Sequence, residues 1–375
     1  MDRNRHSTVS LTLPAITSSG ATSGYFTNGN GTSIAPTVPV ADWANGITEE
    51  LYGTITESGQ TPSQSDLTQL ITAISNIGKR KNRIINGNMD VWQRGITLGS
   101  AVNTAYLADR WKSDGVGSTT VISRQPFQSG AYAAISVPNE PDYFHRTVVT
   151  SVANIANFAS LEQRIEYAKT LQGKQVTLSF WAKADASKSI AISLSQNFGT
   201  GGSPSATVNT AIAKQAITTT FTKYSFTFTV PSIVGKTLGT NLNDYLAVKF
   251  WFDAGSNFNA QTNTLGQQSG TFDIAQVQLE VGSKATDFEY RNYREEQALS
   301  FRYYERGSAN TFIVVASGNN AGGLMFRTEK RALPTVVISP TTGTGAGAAS
   351  SNDGFIQSGF NSVISSCSWT ADAEL

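Results

Sequence analysis

The chain has 375 residues, of which 15% are charged and 39% hydrophobic, and its net charge is +1. Charge this far below the roughly 25% usual for soluble domains, with 33 glycines and much Ser, Thr and Asn, describes strands and turns whose surface is made of hydroxyls and amides. No block of Lys and Arg is present to displace counterions, so nucleic acid and anionic membrane are poor partners. The single cysteine, Cys367, rules out an intrachain disulfide framework and a cysteine-built zinc site.

The opening residues, MDRNRHSTVSLTLPAI, lack the apolar core of a signal peptide. No apolar run approaches the roughly 18 residues of a membrane span, so no membrane insertion is expected. Residues 1–37 alternate Ser, Thr, Gly, Asn and Pro. They cannot bury enough surface to order alone, and predict an extended arm held by a partner or by copies of the chain.

Residues 38–82 predict a helical module. Trp43, Ile47, Leu51 and Ile55 recur at every fourth position, an amphipathic stripe that Gly59 ends. Thr61-Pro62-Ser63-Gln64 then offers a cap, a proline at the first helical position and a capping-box glutamine. Leu67, Leu70, Ile71, Ile74 and Ile77 follow on one face. Two such helices with little other core must pack on each other, as a hairpin within a monomer, or on copies of themselves, as an attachment and oligomerisation module. The run Lys79-Arg80-Lys81 predicts a solvated linker.

Residues 83–306 predict an antiparallel β-sandwich. Asn-Gly turn chemistry interrupts short apolar runs at the start of this stretch, where Trp92, Tyr106 and Trp111 supply large rings. Residues 174–184 (KQVTLSFWAKA) put Val176, Leu178, Phe180 and Ala182 on one face and Trp181 and Lys183 on the other. Residues 189–195 repeat the pattern with Ile190, Ile192 and Leu194, and residues 222–230 with Tyr224, Phe226, Phe228 and Val230. Residues 245–252 turn Leu246, Val248, Phe250 and Phe252 inward and leave Tyr245, Lys249 and Trp251 outside. In residues 271–281 the apolar phase slips between Ile274 and Val277, which predicts a β-bulge near Ala275. Tyr293, Gln297, Ala298, Phe301 and Tyr304 then share helical spacing. Residues 307–375 predict a small β tip domain, with strands at 311–316 and 335–339 and a Gly-rich loop at 341–351. Its size is marginal for an independent core.

Several stretches carry a resemblance. "NRIINGNMDVWQRG" followed by "YLADRW", "LEQRIEYAKTLQGKQVTLSFWAKAD" and "FDIAQVQLEVGSKATDFEYRNYREEQALSFRYYER" resemble the jelly-roll domain of bacteriophage tail-fibre and receptor-binding proteins, a fold shared with carbohydrate-binding modules. "GYFTNGNGTSIAPTVPVADWANGITEELYGTITESGQTPSQSDLTQLITAI" resembles the N-terminal module of such fibres. "FRTEKRALPTVVI" and "SCSWTADAEL" resemble their terminal tip. The resemblance implies a jelly roll between an N-terminal attachment module and a C-terminal tip. It also implies a homotrimer, attachment to the tail baseplate through the N-terminal region, and binding of a host surface glycan. The expected setting is the virion tail, outside the cell after lysis.

Candidate chemistry follows. Two histidines, His6 and His145, leave a triad or metalloenzyme little to build on, and Gly-rich stretches lack the GK[ST] of a phosphate loop. No catalytic residues, resident metal or cofactor are expected. The adjacent pairs Glu49/Glu50 and Glu295/Glu296 point apart on helices, as solvated faces or ion-pair partners. A calcium ion, which ties the first and last strands of related carbohydrate-binding jelly rolls, would draw on Asn86, Asp90 and Asp273, but their spacing is no ligand motif and Asn86 is equally a turn residue. Sugars pack their C–H faces on aromatic rings and bond through hydroxyls. Trp181, Trp251 and Tyr245, with Lys183 and Lys249, would form a platform if their strands shared a sheet. Trp369, Phe355 and Phe360 are a second cluster, or else tip core. The alternatives are a short polysaccharide depolymerase, which needs two carboxylates at a set separation in one cleft, and a ligand-free fibre segment.

Overall fold

The computed structural model describes residues 41–76, 80–99, 104–127, 141–307, 320–340, 346–360 and 367–375. The chain divides into two compact units, residues 1–81 with 281–286 and residues 82–280 with 287–375. The expected arm, residues 1–37, lies outside the described residues, as do Ile77 and the expected strand at 311–316.

In the first unit helix α1 (Ala41–Glu57) ends where the sequence says it should, at Gly59 with φ +82°. Helix α2 (Gln69–Asn76) does not begin at the expected Thr61-Pro62-Ser63-Gln64 cap. The Gln69 side chain holds that segment non-helical, accepting from Ser63 N at 2.7 Å and donating to Thr61 O at 2.7 Å. Asp66 then accepts from Thr68 N at 2.8 Å just before the helix. Side-chain bonds to the backbone have displaced a helical turn. Leu67 therefore sits off the helix and is 94% exposed. Ile55 and Ala73 are buried and Leu51 and Leu70 half-buried, whereas Trp43, Ile47, Ile71 and Ile74 are exposed.

The second unit is mainly β. Its strands up to the fold's centre are β1 (Thr97–Leu98), β2 (Thr104–Tyr106), β3 (Trp111–Val116), β4 (Thr119–Pro126), β5 (Tyr143–Thr150) and β6 (Phe158–Glu166). There follow β7 (Gln175–Ala184), β8 (Lys188–Asn197), β9 (Val208–Ile217), β10 (Thr222–Thr229), β11 (Tyr245–Ala254) and β12 (Gly270–Val281). Among the described residues they form two six-stranded sheets, ordered β1-β4-β5-β12-β7-β10 and β2-β3-β6-β11-β8-β9. This is an antiparallel jelly-roll sandwich, in which β11 and β12, made late, lie between strands made early.

The core follows from strict alternation. Val176, Leu178, Phe180 and Ala182 of β7 meet Ile190, Ile192 and Leu194 of β8 and Leu246, Val248, Phe250 and Phe252 of β11, all buried. Tyr224, Phe226 and Phe228 of β10 pack against this cluster from the sheet's edge. The bulge is present: Phe272 and Ile274 face the core, Gln276 takes φ +45°, and Val277 and Leu279 resume the inward phase.

Helix α3 (Asn259–Thr262) follows β11 after a 3-10 turn, and α4 (Tyr293–Phe301) occupies the expected stretch, capped by Asn292, which accepts from Glu295 N. Beyond it β13 (Tyr304–Gly307), β14 (Asn320–Met325), β15 (Thr335–Pro340), β16 (Ala346–Ser350), β17 (Gly354–Phe360) and β18 (Cys367–Asp372) build two three-stranded sheets, β13-β18-β15 and β14-β17-β16. Part of the expected Gly-rich loop is thus strand, because residues 346–350 pair with β17. These small sheets share a core of Phe326, Phe355, Trp369 and Ala371.

Candidate functional site

The expected Trp181–Trp251 platform does not form, because β7 and β11 belong to opposite sheets. Trp251 is 2% exposed, between the Phe158 and Phe258 rings at 5.4 and 5.3 Å, and its Nε1 donates to Ser193 Oγ at 2.8 Å. The chain turns back after β11 and covers this outer face with Phe258 and Leu265. Lys249 lies 4.6 Å from the Trp251 ring and pairs with Glu162 at 3.2 Å and Asp114 at 3.4 Å. Tyr245 is half-buried beneath the Arg164 guanidinium, 4.4 Å from its ring. On the other sheet Trp181 is half-buried opposite Lys223, and Lys183 pairs with Asp273 at 3.6 Å while lying 5.0 Å from the Phe221 ring.

In the tip cluster Phe355 and Trp369 are core side chains, their rings 5.4 Å apart. The side chain of Phe360 lies outside the described residues.

Of the residues weighed for calcium, Asn86 and Asp273 are engaged elsewhere. Asn86 is fully buried at φ +56°. Its Nδ2 donates to Val91 O at 2.9 Å and Asp109 O at 3.0 Å, and its Oδ1 accepts from Asp90 N at 2.8 Å and Val91 N at 2.9 Å. Asp273 accepts from Arg146 Nε and Nη2, each at 2.8 Å. Among the described residues no group of three His, Cys, Asp or Glu side chains is placed to hold a metal.

The Asn86 knot has a different consequence: it presents the next residues at the rim of a cleft of about 380 Å³. Segment 82–93 is pinned along β12. Asn82 accepts from Leu279 N at 3.0 Å and donates to Val277 O at 3.0 Å, and Gly87 passes so close that a Cβ there would lie 2.3 Å from Val277 O. Asn88, Asp90, Trp92 and Gln93 line one side of the cleft. Trp92 stacks on buried His145, ring centres 5.9 Å apart. Arg124 and Tyr143, from the paired strands β4 and β5, line the cleft with Asp142, and the guanidinium lies 4.1 Å from the Tyr143 ring.

Tyr290 and Tyr293 complete the cleft, both half-exposed. Their segment is anchored by buried Arg291, which donates to the carbonyls of Asn82 and Ile84 and pairs with Glu296 at 3.1 Å. Glu296 in turn accepts from Asn86 N at 2.8 Å. It is thus an ion-pair partner, as one reading of Glu295/Glu296 held, but a buried one.

The electrostatics of the cleft centre on Asp90. Burial, reinforced by the negative charges of Asp142 and Glu296, pushes its carboxyl up to about 6, against the hydrogen bond it receives from Asn88 Nδ2 at 3.0 Å. Asn88 itself is buried, and its Oδ1 has no protein hydrogen-bond partner. Burial alone takes the His145 imidazole down to about 3, so it stays neutral beneath Trp92. Rings, amides and a carboxylate around a pocket of this size suit a small polar ligand with apolar faces. Of the two carboxylates that line this cleft Asp142 is exposed and Asp90 half-buried, so this cleft does not hold the two buried carboxylates of the depolymerase reading. No signal in the sequence joined these residues, which come from four separated segments.

The model of a carbohydrate binding domain family matches residues 159–244, which run from β6 through β10 and contain none of the cleft residues. A comparison with curated proteins finds no match. Solved structures are similar at low identity. The CBM22-2 xylan-binding domain from Paenibacillus barcinonensis is 14% identical, with 46% of this chain and 91% of that chain covered and a TM-score of 0.30. A family 11 carbohydrate-binding module from Clostridium thermocellum, in complex with a β-1,3-1,4-mixed-linked tetrasaccharide, is 10% identical over 50% of this chain and 98% of that one, with a TM-score of 0.30. The enzymatically active domain of bacteriophage CBA120 tailspike protein 4 is 14% identical over 53% of this chain and 21% of that one, with a TM-score of 0.28.

Proposed function

We propose that the chain is a glycan-binding fibre protein of a phage tail, which binds host surface polysaccharide through its sandwich. The observation that carries this reading is the cleft, where the exposed Tyr290 and Tyr293 rings stand beside Asn88, Asp90 and Gln93. Sugar C–H faces stack on such rings while hydroxyls bond to the amides and the carboxylate. The match of residues 159–244 to a carbohydrate binding domain supports the same class of ligand.

On this proposal residues 1–78 attach the chain to the tail baseplate as a homotrimer. The exposed Ile47, Ile71 and Ile74 of the helical unit supply apolar surface for contact between copies. Single-site affinity would be weak, and three copies on one fibre raise the effective concentration of each further contact. The protein would act in the virion tail, outside the cell.

The test is to mix the full chain, and its Tyr290→Ala/Tyr293→Ala variant, with surface polysaccharides from a panel of Gram-negative strains. Binding and polymer size are both followed over time, and sedimentation gives the oligomeric state. Binding that leaves the polymer intact and is lost in the variant is expected. Progressive shortening of the polymer would replace the adhesin by a depolymerase. Failure to bind any of the polysaccharides would favour a ligand-free fibre segment.

A further inference from the structure

The cleft carries more information than its shape, because acidic groups outnumber basic ones in its lining. Asn88 is 4% exposed, lines the cleft, and has a buried acceptor oxygen without a protein partner. That oxygen is closed to solvent, so it adds to the negative potential of the wall without itself being open to a ligand. Beside it Asp90 accepts only the Asn88 amide bond and keeps further lone pairs for donors. A second carboxylate, Asp142, lines the same cleft, while Glu296 behind it is paired with Arg291 at 3.1 Å. Against them the lining has one cation, Arg124, whose guanidinium is stacked on Tyr143. The wall therefore offers acceptors in an electronegative setting, with half-exposed Tyr290 and Tyr293 rings at the mouth.

We infer that this cleft selects an uncharged sugar residue, whose hydroxyls donate to Asp90 while its ring lies on Tyr290 or Tyr293, and rejects sugars that carry a carboxylate. The inference rests on the glycan-binding reading above and adds the ligand class. A uronic or sialic acid would bring another negative charge beside Asp90 and Asp142 inside a partly desolvated site, where like charges repel most strongly. A neutral hexopyranose has the needed donors in pairs and an apolar face for the rings. At about 380 Å³ the cleft suits a short saccharide. It lies outside the segment that matches a carbohydrate binding domain.

The probes are neutral methyl hexosides, the matching methyl hexuronosides and the matching 2-amino hexosides, titrated at pH 7.5 against the full chain. Saturation-transfer NMR and tyrosine fluorescence report contact. We expect each neutral glycoside to bind at least tenfold more tightly than its uronoside. Asp90→Asn, which keeps the shape and removes the charge, is expected to narrow that ratio to below threefold, and Tyr293→Ala to weaken every probe alike. Uronosides that bind as well as neutral sugars would overturn the charge selection while leaving glycan binding intact. Amino sugars preferred more than tenfold over neutral ones would also overturn it, in favour of a cation site. Absence of contact from every saccharide, with circular dichroism unchanged, would overturn this inference and the reading beneath it together.

Discussion

Asn86 makes the most consequential set of bonds around the cleft, and its removal has a calculable effect. Its side chain satisfies two backbone N–H groups and two carbonyls, all in a region closed to solvent. In Asn86→Ala the Asp90 and Val91 N–H groups and the Asp109 carbonyl lose this partner, while Val91 O keeps the bond from Asp109 N at 2.9 Å, so the cost is about 1 kcal/mol for each of three groups and more where water cannot reach. Alanine at φ +56° adds roughly 1 kcal/mol of strain that asparagine tolerates better. The expected loss is about 4 kcal/mol, a large share of the whole stability of many domains. Urea unfolding followed by tryptophan fluorescence measures it, since Trp111 Nε1 donates to Asn86 O at 2.9 Å and Trp92 lies in the same turn. Asn86→Gly removes the bonds without the strain and should fall about 1 kcal/mol short of the alanine loss. A glycine variant as stable as the parent would refute the argument, because backbone conformation alone would then hold the turn.

Three further outcomes are expected. Glycan binding should weaken as pH falls through about 6, because protonation of Asp90 removes its charge as an acceptor, and titration calorimetry of Asp90→Asn should show a flat profile over that range. His145, buried and neutral with its folded value near 3 against the usual 6.5, contributes stability that is fully present above pH 6.5. That contribution is lost at up to about 1.4 kcal/mol per pH unit as the pH falls from 6.5 toward 3, so His145→Gln should flatten the acid limb of a denaturation curve. Trp251→Ala should cost about 3–5 kcal/mol through the cavity it leaves, yet bind glycan as the parent does at temperatures where it stays folded; lost binding in the folded variant would return Trp251 to the site.

The sandwich was legible wherever one face of a strand is buried, because period-two alternation then has no alternative register. β7, β8, β10 and β11 announce themselves this way, and the phase slip between Ile274 and Val277 locates the bulge. The same rule misled at Trp251. Alternation shows correctly that it points away from the sandwich core, but not that Phe258 and Leu265 return to cover that face. Thr61-Pro62-Ser63-Gln64 has the composition of a helix start and was displaced by Gln69, a competitor visible only in three dimensions. The cleft was illegible for a different reason. Its residues at 88–93, 124, 142–143 and 290–293 have no spacing rule, and meet only because Asn86, Gly87 and Arg291 fasten distant backbone together.

The strand order has a consequence for how the chain is made. β5 and β7 face each other across a gap that only β12 fills, and β6 and β8 across one that only β11 fills. The second sheet cannot close until residue 254 has left the ribosome, nor the first until residue 281, and until then the early strands carry unpaired edges rich in Phe, Val and Ile. Folding of the sandwich must then wait for nearly three-quarters of the polypeptide and proceed through long-range pairing, the slow class of topology. A nascent chain stalled before Tyr245 would thus present sticky half-sheets rather than a smaller sandwich, and its fate would be association with other chains.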